Sequence, residues 1–275
     1  MEHTPAMPGT PPNGALNGAS DALAAHTATG SLPPGKARQS CLLRGLRDLF
    51  AARGADDLRA ASLALDDCVA RYGTPAPLPP NASAQHGKRN PHGSARQAAT
   101  QAATSHAHDD QWRDAEYAFN RLFVGPMAVP APPYASAWLE TEPRLMGEST
   151  MDVRGLYHAL GYAVPDEGAT PDDHLSFELD AALALLALRD APPFPATDTG
   201  REHGLAVDEA WCWLVAEHMG TWVPRFVQRA LAEPGVPPAI ARALALLLCW
   251  QEDAAAACAR RHPPEATAGA SALPV

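Results

Sequence analysis

The stretch Thr170–Asp180, TPDDHLSFELD, places several groups capable of acid–base or ion-pair chemistry close together. Asp173 and His174 are adjacent, and Glu178 lies four residues on from His174, one turn away if the segment is helical. A carboxylate beside an imidazole can tune the ring's protonation near neutral pH, which is what a general base requires. The same residues also fit two quieter roles. Thr170, Pro171 and Asp173 stand where a helix takes its N-cap, its first residue and the third position of a capping box, with Asp in place of Glu or Gln. A row of carboxylates can also wall a site for a cationic ligand.

The enzymatic reading lacks its other parts. The chain has no GxSxG elbow, no HExxH, no phosphate-cradling loop and no GxGxxG after a strand. No nucleophile or metal set accompanies His174, so the chain is expected not to be an enzyme. A His174 general base beside Glu178 in an acidic cleft is the enzymatic alternative.

Two features flank the segment. Acids crowd the region from Glu140 to Asp180, opposed by Arg144 and Arg154. Such a run is ordinarily a solvated helix face. Upstream, MAVPAPPYASAW (Met127–Trp138) reads as an extended, proline-rich connector carrying Tyr134 and Trp138. Aromatics on such a loop make a broad contact surface at low entropic cost. They either face a ligand or close the core beneath the loop. Acids and aromatics together describe a site for a basic, partly apolar peptide.

The elements that must position these residues are helical. Leu42, Leu43, Leu46, Leu49 and Phe50 mark one apolar face from about Gln39, ended by Gly54. Leu58, Ala61, Leu65, Cys68 and Val69 mark a second, ended by Gly73. Ala115, Phe119, Leu122 and Phe123 form a third stripe that stops at Gly125-Pro126. Met146, Val153, Leu156, Tyr157 and Leu160 form the next, with Gly161 placed as its C-terminal cap. Leu175, Leu179, Ala182, Leu183 and Leu186 follow, then Val207, Trp211, Leu214, Val215, His218 and Trp222. Pro224 kinks that helix or starts another, and Ile240, Ala243, Leu244, Leu247 and Leu248 mark the last. No segment alternates with period two, so the fold class is all-α. Residues 1–38 and 261–275 read as disordered tails around a helical domain at 39–260, with a flexible insert near 74–108. His86, His92, His106 and His108 fall in that insert, in a polar setting with nothing to support a metal site.

Composition sets the outer bounds. The chain has 275 residues, 46% of them hydrophobic, enough to bury a substantial core. A formal charge of -10 argues against a nucleic-acid partner and favours a basic one. The 5 cysteines form no CxxC pair, and Cys41, Cys68 and Cys249 lie in apolar helical patterns. A reducing, cytoplasmic compartment without disulfide or zinc is expected. No basic region leads an apolar stretch at the N-terminus, and no run approaches the length of a membrane span, so neither a signal peptide nor a transmembrane helix is expected.

Three segments in order carry a more specific resemblance. RLFVGPMAVPAPPYASAW (Arg121–Trp138), LMGESTMDVRGLYHALGY (Leu145–Tyr162) and PDDHLSFELDAALALLAL (Pro171–Leu188) resemble the TorD/DmsD family. EHMGTWVPRF (Glu217–Phe226) resembles that family's C-terminal half. The family's pattern is a helix ending in LF-x-GP, a P-P-Y-x-S connector, a helix ending in Y-x-x-x-G, and a D-H-x-x-x-E-L helix. The resemblance implies a single-domain helical bundle and a cytoplasmic chaperone. Its partners would be the twin-arginine signal peptide and the apo form of an exported molybdenum-cofactor oxidoreductase, held until the cofactor is inserted. It implies no cofactor of the chaperone's own and admits a homodimer. By match, the peptide-binding residues are Tyr134, Ser136, Trp138, Asp173 and His174, with Leu122, Phe123, Gly125, Pro126 and Pro133 nearby and Glu178 orienting the His174 ring. The N-terminal tail and the insert depart from the family's core. The alternative is a helical scaffold without a peptide pocket, in which Tyr134 and Trp138 would be buried.

Overall fold

A computed structural model describes residues 34–73, 110–126, 128–140, 147–162, 170–190 and 206–261. The insert with its histidines, most of both expected tails, and Met146 of the fourth stripe lie outside the described residues. Helix α1 (Pro34–Phe50) starts earlier than its apolar stripe and pairs with α2 (Ala55–Tyr72) across a short turn. Helix α3 spans 110–119 and widens into a π turn at Asn120–Val124. A four-residue helix α4 (Ser136–Leu139), α5 (Glu148–Ala159) and α6 (Leu175–Asp190) follow. Helix α7 (206–212) runs through a second π turn (Trp213–His218) into α8 (Met219–Leu231), and α9 (Pro238–Arg261) closes the chain. The all-α expectation is met among the described residues. The connector is not wholly extended as expected, because α4 forms within it. Pro224 is accommodated inside α8 rather than starting a new helix. Gly161, at φ 71, ends α5's turn as expected of a left-handed cap.

The core draws on every helix. Phe226 of α8 is its aromatic centre, with the rings of Phe50, Phe123, Trp138 and Trp222 at 5.8, 5.6, 6.2 and 5.6 Å. Most of these meet edge-to-face, a geometry worth about 0.5–1.5 kcal/mol per pair beyond area burial. Helix α6 packs on α1, and Arg47 of α1 pairs with Asp180 in the first half of α6 at 2.8 Å. Arg242 of α9 pairs with Asp66 of α2.

Each π turn leaves a distinct trace. The first ends where Gly125 N–H reaches Asn120 O at 2.9 Å, with Gly125 at φ 105, a conformation that favours glycine. In the second, the Val215 carbonyl accepts a 3.0 Å hydrogen bond from the buried Gln251 amide of α9.

The expectation of a chain without disulfides is also overturned. Cys212 of α7 and Cys258 of α9 form a disulfide, with Cα atoms 5.5 Å apart. Spacing rules missed it because the pairing joins two helices across 46 residues and depends only on how they cross. Among the described residues, no helix is long and apolar enough to cross a membrane.

Helices α1 and α2 meet at Gly45, where an added Cβ would lie 2.7 Å from Leu65 Cδ2 and 2.9 Å from its Cγ. Gly45→Val should therefore lower unfolding free energy by about 1–3 kcal/mol in urea titration, through overpacking.

Candidate functional site

His174 caps α6. The helix begins at Leu175, and the His174 Nδ1 accepts the Ser176 N–H at 3.2 Å, with Ser176 Oγ 2.7 Å from the same nitrogen. Residues 171–174 form a turn in which His174 N–H meets Pro171 O at 3.1 Å. The expected start, with Thr170 as N-cap and Asp173 at the third helical position, is thus displaced by several residues. Asp173 is spent elsewhere, so the imidazole takes the cap. Burial lowers the His174 pKa to about 4, only partly offset by Asp173. The ring is neutral at physiological pH, which leaves Nδ1 free to accept.

Asp173 joins α6 to the connector. Ala135 N–H donates to Asp173 O at 3.1 Å and Leu175 N–H donates to Pro133 O at 2.9 Å, an antiparallel bridge that sets Tyr134 against His174. The Asp173 carboxylate adds a third link, accepting the Ser136 N–H at 2.7 Å. It therefore satisfies an amide in the first turn of α4, a different helix from its own. Asp173 is fully buried, and among the described residues its Oδ1 and the Ser136 hydroxyl find no hydrogen-bond partner.

Helix α4 in turn sets Trp138. Its indole N–H donates to Pro132 O at 2.8 Å, its ring packs edge-on to Phe226, and the Arg225 guanidinium lies 5.9 Å from the ring centre. Arg225 also donates to Trp138 O at 2.7 Å. The Tyr134 ring meets His174 edge-on at 4.9 Å, and His174 meets Phe177 at 5.8 Å. Burial, then the charge of Asp173, pushes the Tyr134 phenol up. Tyr134, Trp138, His174 and Phe177 are all half-buried. They form an aromatic ledge, of which Trp138 and Phe177 pack against the core, and neither Tyr134 nor Trp138 is closed off as the scaffold alternative expects.

Two further acids of the segment, Asp172 and Glu178, turn inward and part company. Asp172 pairs with Arg154 of α5, and its backbone carbonyl accepts the Tyr157 hydroxyl at 2.9 Å. Glu178 pairs with His218 of the second π turn at 2.7 Å, both groups buried. Glu178 does not orient His174 as expected. The His174 ring folds back onto Ser176, while the Glu178 side chain is fully buried against His218. Burial works against a charged His218, but Glu178, with Asp173 and Asp152 behind it, raises its pKa. Burial likewise raises Glu178 against the pull of His218. His218 stacks on Trp213 at 5.2 Å. Asp172, Asp173 and Glu178 are all buried, so this part of the acid run is not a solvated face.

The other matched residues divide between frame and surface. Leu122 and Phe123 are buried in the core, and Pro133 is buried with its carbonyl in the bridge. Gly125 closes the first π turn, and Pro126 is exposed. His218, Arg154 and Arg225 brace the site but were not singled out as site residues from the sequence. His218 lay within an apolar stripe and read as one of its members. Among the described residues, no group of three or more His, Cys, Asp or Glu is arranged to hold a metal ion.

The chain belongs to the family described as nitrate reductase delta subunit, whose pattern matches residues 90–228. This agrees with the resemblance to TorD/DmsD proteins. A relative from Salmonella typhi named Tat proofreading chaperone DmsD is 34% identical over 120 residues, 44% of this chain and 50% of the relative. Proteins of the same name from Salmonella paratyphi A and Salmonella typhimurium are each 32% identical over the same share of both chains. The chain thus spans about half the length of the curated relatives it matches.

Two predictions follow from the geometry. Asp173→Ala should cost about 1–3 kcal/mol in denaturant unfolding, because it strands the buried Ser136 N–H, whereas Asp173→Asn retains an acceptor and should cost less than about 1 kcal/mol. His174 has a folded pKa below its unfolded value of 6.5, so its contribution is complete above that value and is lost as pH falls toward 4. Unfolding free energy should drop by about 2 kcal/mol more between pH 7.5 and pH 5 in the native protein than in His174→Asn, which can still cap.

Proposed function

We propose that this chain is a cytoplasmic maturation chaperone that binds the twin-arginine signal peptide of an exported molybdenum-cofactor oxidoreductase and holds the apo-enzyme until cofactor insertion. The observation that carries the reading is the half-buried ledge of Tyr134, His174 and Trp138, held by the buried Asp173. Family membership and relatives named as Tat proofreading chaperones support it. A twin-arginine leader combines a basic region with an apolar one. The ledge offers aromatic faces and edges to both, stacking on guanidinium or packing against apolar side chains. Asp173 has one oxygen engaged by Ser136 and is buried, so it holds the ledge in place and adds negative potential behind it. Contact with arginine falls to more accessible acids. Glu140, Glu148 and Asp152 stand near one another by α5, where burial, then Glu148, raises the pKa of Asp152. Leu122, Phe123, Ser136 and Glu178 serve as frame in this reading, and Pro126 as exposed rim.

The test is calorimetric titration with a synthetic twin-arginine leader and its Lys-Lys counterpart, at low and moderate salt, on native protein and Trp138→Ala. The Arg-Arg peptide should bind more tightly at moderate salt, where non-specific attraction to an acidic protein is screened. Trp138→Ala should weaken it about tenfold or more. Equal binding of the two peptides, or no loss in the variant, would reject the reading.

A further inference from the structure

The Cys212–Cys258 disulfide sits in a register clamp. Cys212 and Val215 lie three residues apart on α7 and its π turn, and Cys258 and Gln251 lie seven apart on α9, so each pair shares a face. Cys212 meets Cys258 while Val215 O meets Gln251, which makes the two helices antiparallel. Asp208, one turn before Cys212, accepts from Arg261, one turn after Cys258, at 2.9 Å, and from Arg189 of α6 at 2.7 Å. Three links in sequence, ionic, covalent and hydrogen-bonded, therefore fix how α9 lies along α7. The innermost of them satisfies a carbonyl of the π turn that ends at His218, the partner of Glu178.

The two sulfurs are unequally reachable. Cys258 is 5% exposed, whereas Cys212 is half-buried. We propose that Cys212 and Cys258 form a reversible redox site: oxidation by a small-molecule disulfide locks α9 on α7, and reduction loosens the π turn that carries His218. The Cys212 thiolate attacks the small disulfide, giving a mixed disulfide and releasing one thiol. The Cys258 thiolate then attacks the Cys212 sulfur and releases the second thiol. The protein pair loses two electrons and two protons, and the oxidant gains them as two thiols. That the bond alternates between states, rather than simply persisting, rests on the cytoplasmic reading above, because that compartment keeps most thiols reduced.

The experiment uses the full chain equilibrated in glutathione buffers from fully reduced to fully oxidised, quenched by alkylation in denaturant and read by mass spectrometry. Hydrogen exchange over residues 213–218 and thermal unfolding are followed at each poise. Cys212 and Cys258 should lose alkylation together, while Cys41, Cys68 and Cys249 stay modified. The oxidised protein should exchange more slowly at 213–218 and melt about 5–10 °C higher. Cys212→Ser should abolish both differences. Either result would overturn the proposal: a Cys212–Cys258 pair that stays reduced, or oxidised, across the whole range, or one that titrates without altering exchange at 213–218. None of these readouts involves the leader peptide, so failure here is separable from failure of the chaperone reading.

Discussion

The Asp173 carboxylate on the Ser136 amide is the interaction on which the candidate site depends. A four-residue helix has no stability of its own, because its nucleation cost is not recovered over so short a length. Helix α4 persists because its first turn is capped from another element and its third residue, Trp138, is anchored to Pro132 and Phe226. The two backbone bonds of the bridge hold the same strip of connector, and the His174 cap holds the start of α6 from which Asp173 projects. Remove the carboxylate and the aromatic ledge loses its footing, though none of its own atoms is touched.

The segment from Asp172 to Asp180 is the hub of a wider arrangement. Asp172 reaches α5, Asp173 reaches α4, Glu178 reaches the π turn before α8, and Asp180 reaches α1. Four acids within nine residues thus tie α6 to four different neighbours. Buried carboxylates are costly unless paired or hydrogen-bonded, and each of the three buried ones has one oxygen held by a close partner and, among the described residues, the other without a well-formed hydrogen bond. Such partners are specific in direction, which suits acids that must fix geometry more than they must add stability.

Much of the helical framework was legible in the sequence, because apolar residues at helical spacing report burial directly. The stripes through Leu43, Leu65, Phe119, Leu179, Trp222 and Leu244 all lie in the core. What spacing does not report is which way a polar side chain turns. His174 and Glu178 share a helical spacing, yet one caps the helix start and the other enters the core toward His218, forty positions away. The acid run looked like a solvated face because nothing local reveals a distant Arg154 or His218. The Cys212–Cys258 bond was hidden for the same reason: its cause is the crossing of two helices, which no window of sequence contains. The matched motif found the right strip of chain, and only packing separates its frame residues, such as Phe123, from its accessible ones.

The second π turn has a consequence for chain length. A π turn holds more residues than the α-turn it replaces, and here it lies between two faces that are both buried, Val207 and Trp211 before it and Trp222 and Phe226 after it. Each residue advances an α-helix by about 100°. Deleting one position between Trp213 and His218 would let the helix run on as ordinary α with Trp222 and Phe226 still in phase with Phe50 and Trp138, because the wider turn holds about one extra residue over the same rotation. A one-residue gap is usually the mildest kind of length change. In this helix its effect depends on place: inside the π turn the aromatic centre stays in phase, whereas in the α turns that follow the same gap would carry Phe226 by about 100° away from Phe50 and Trp138.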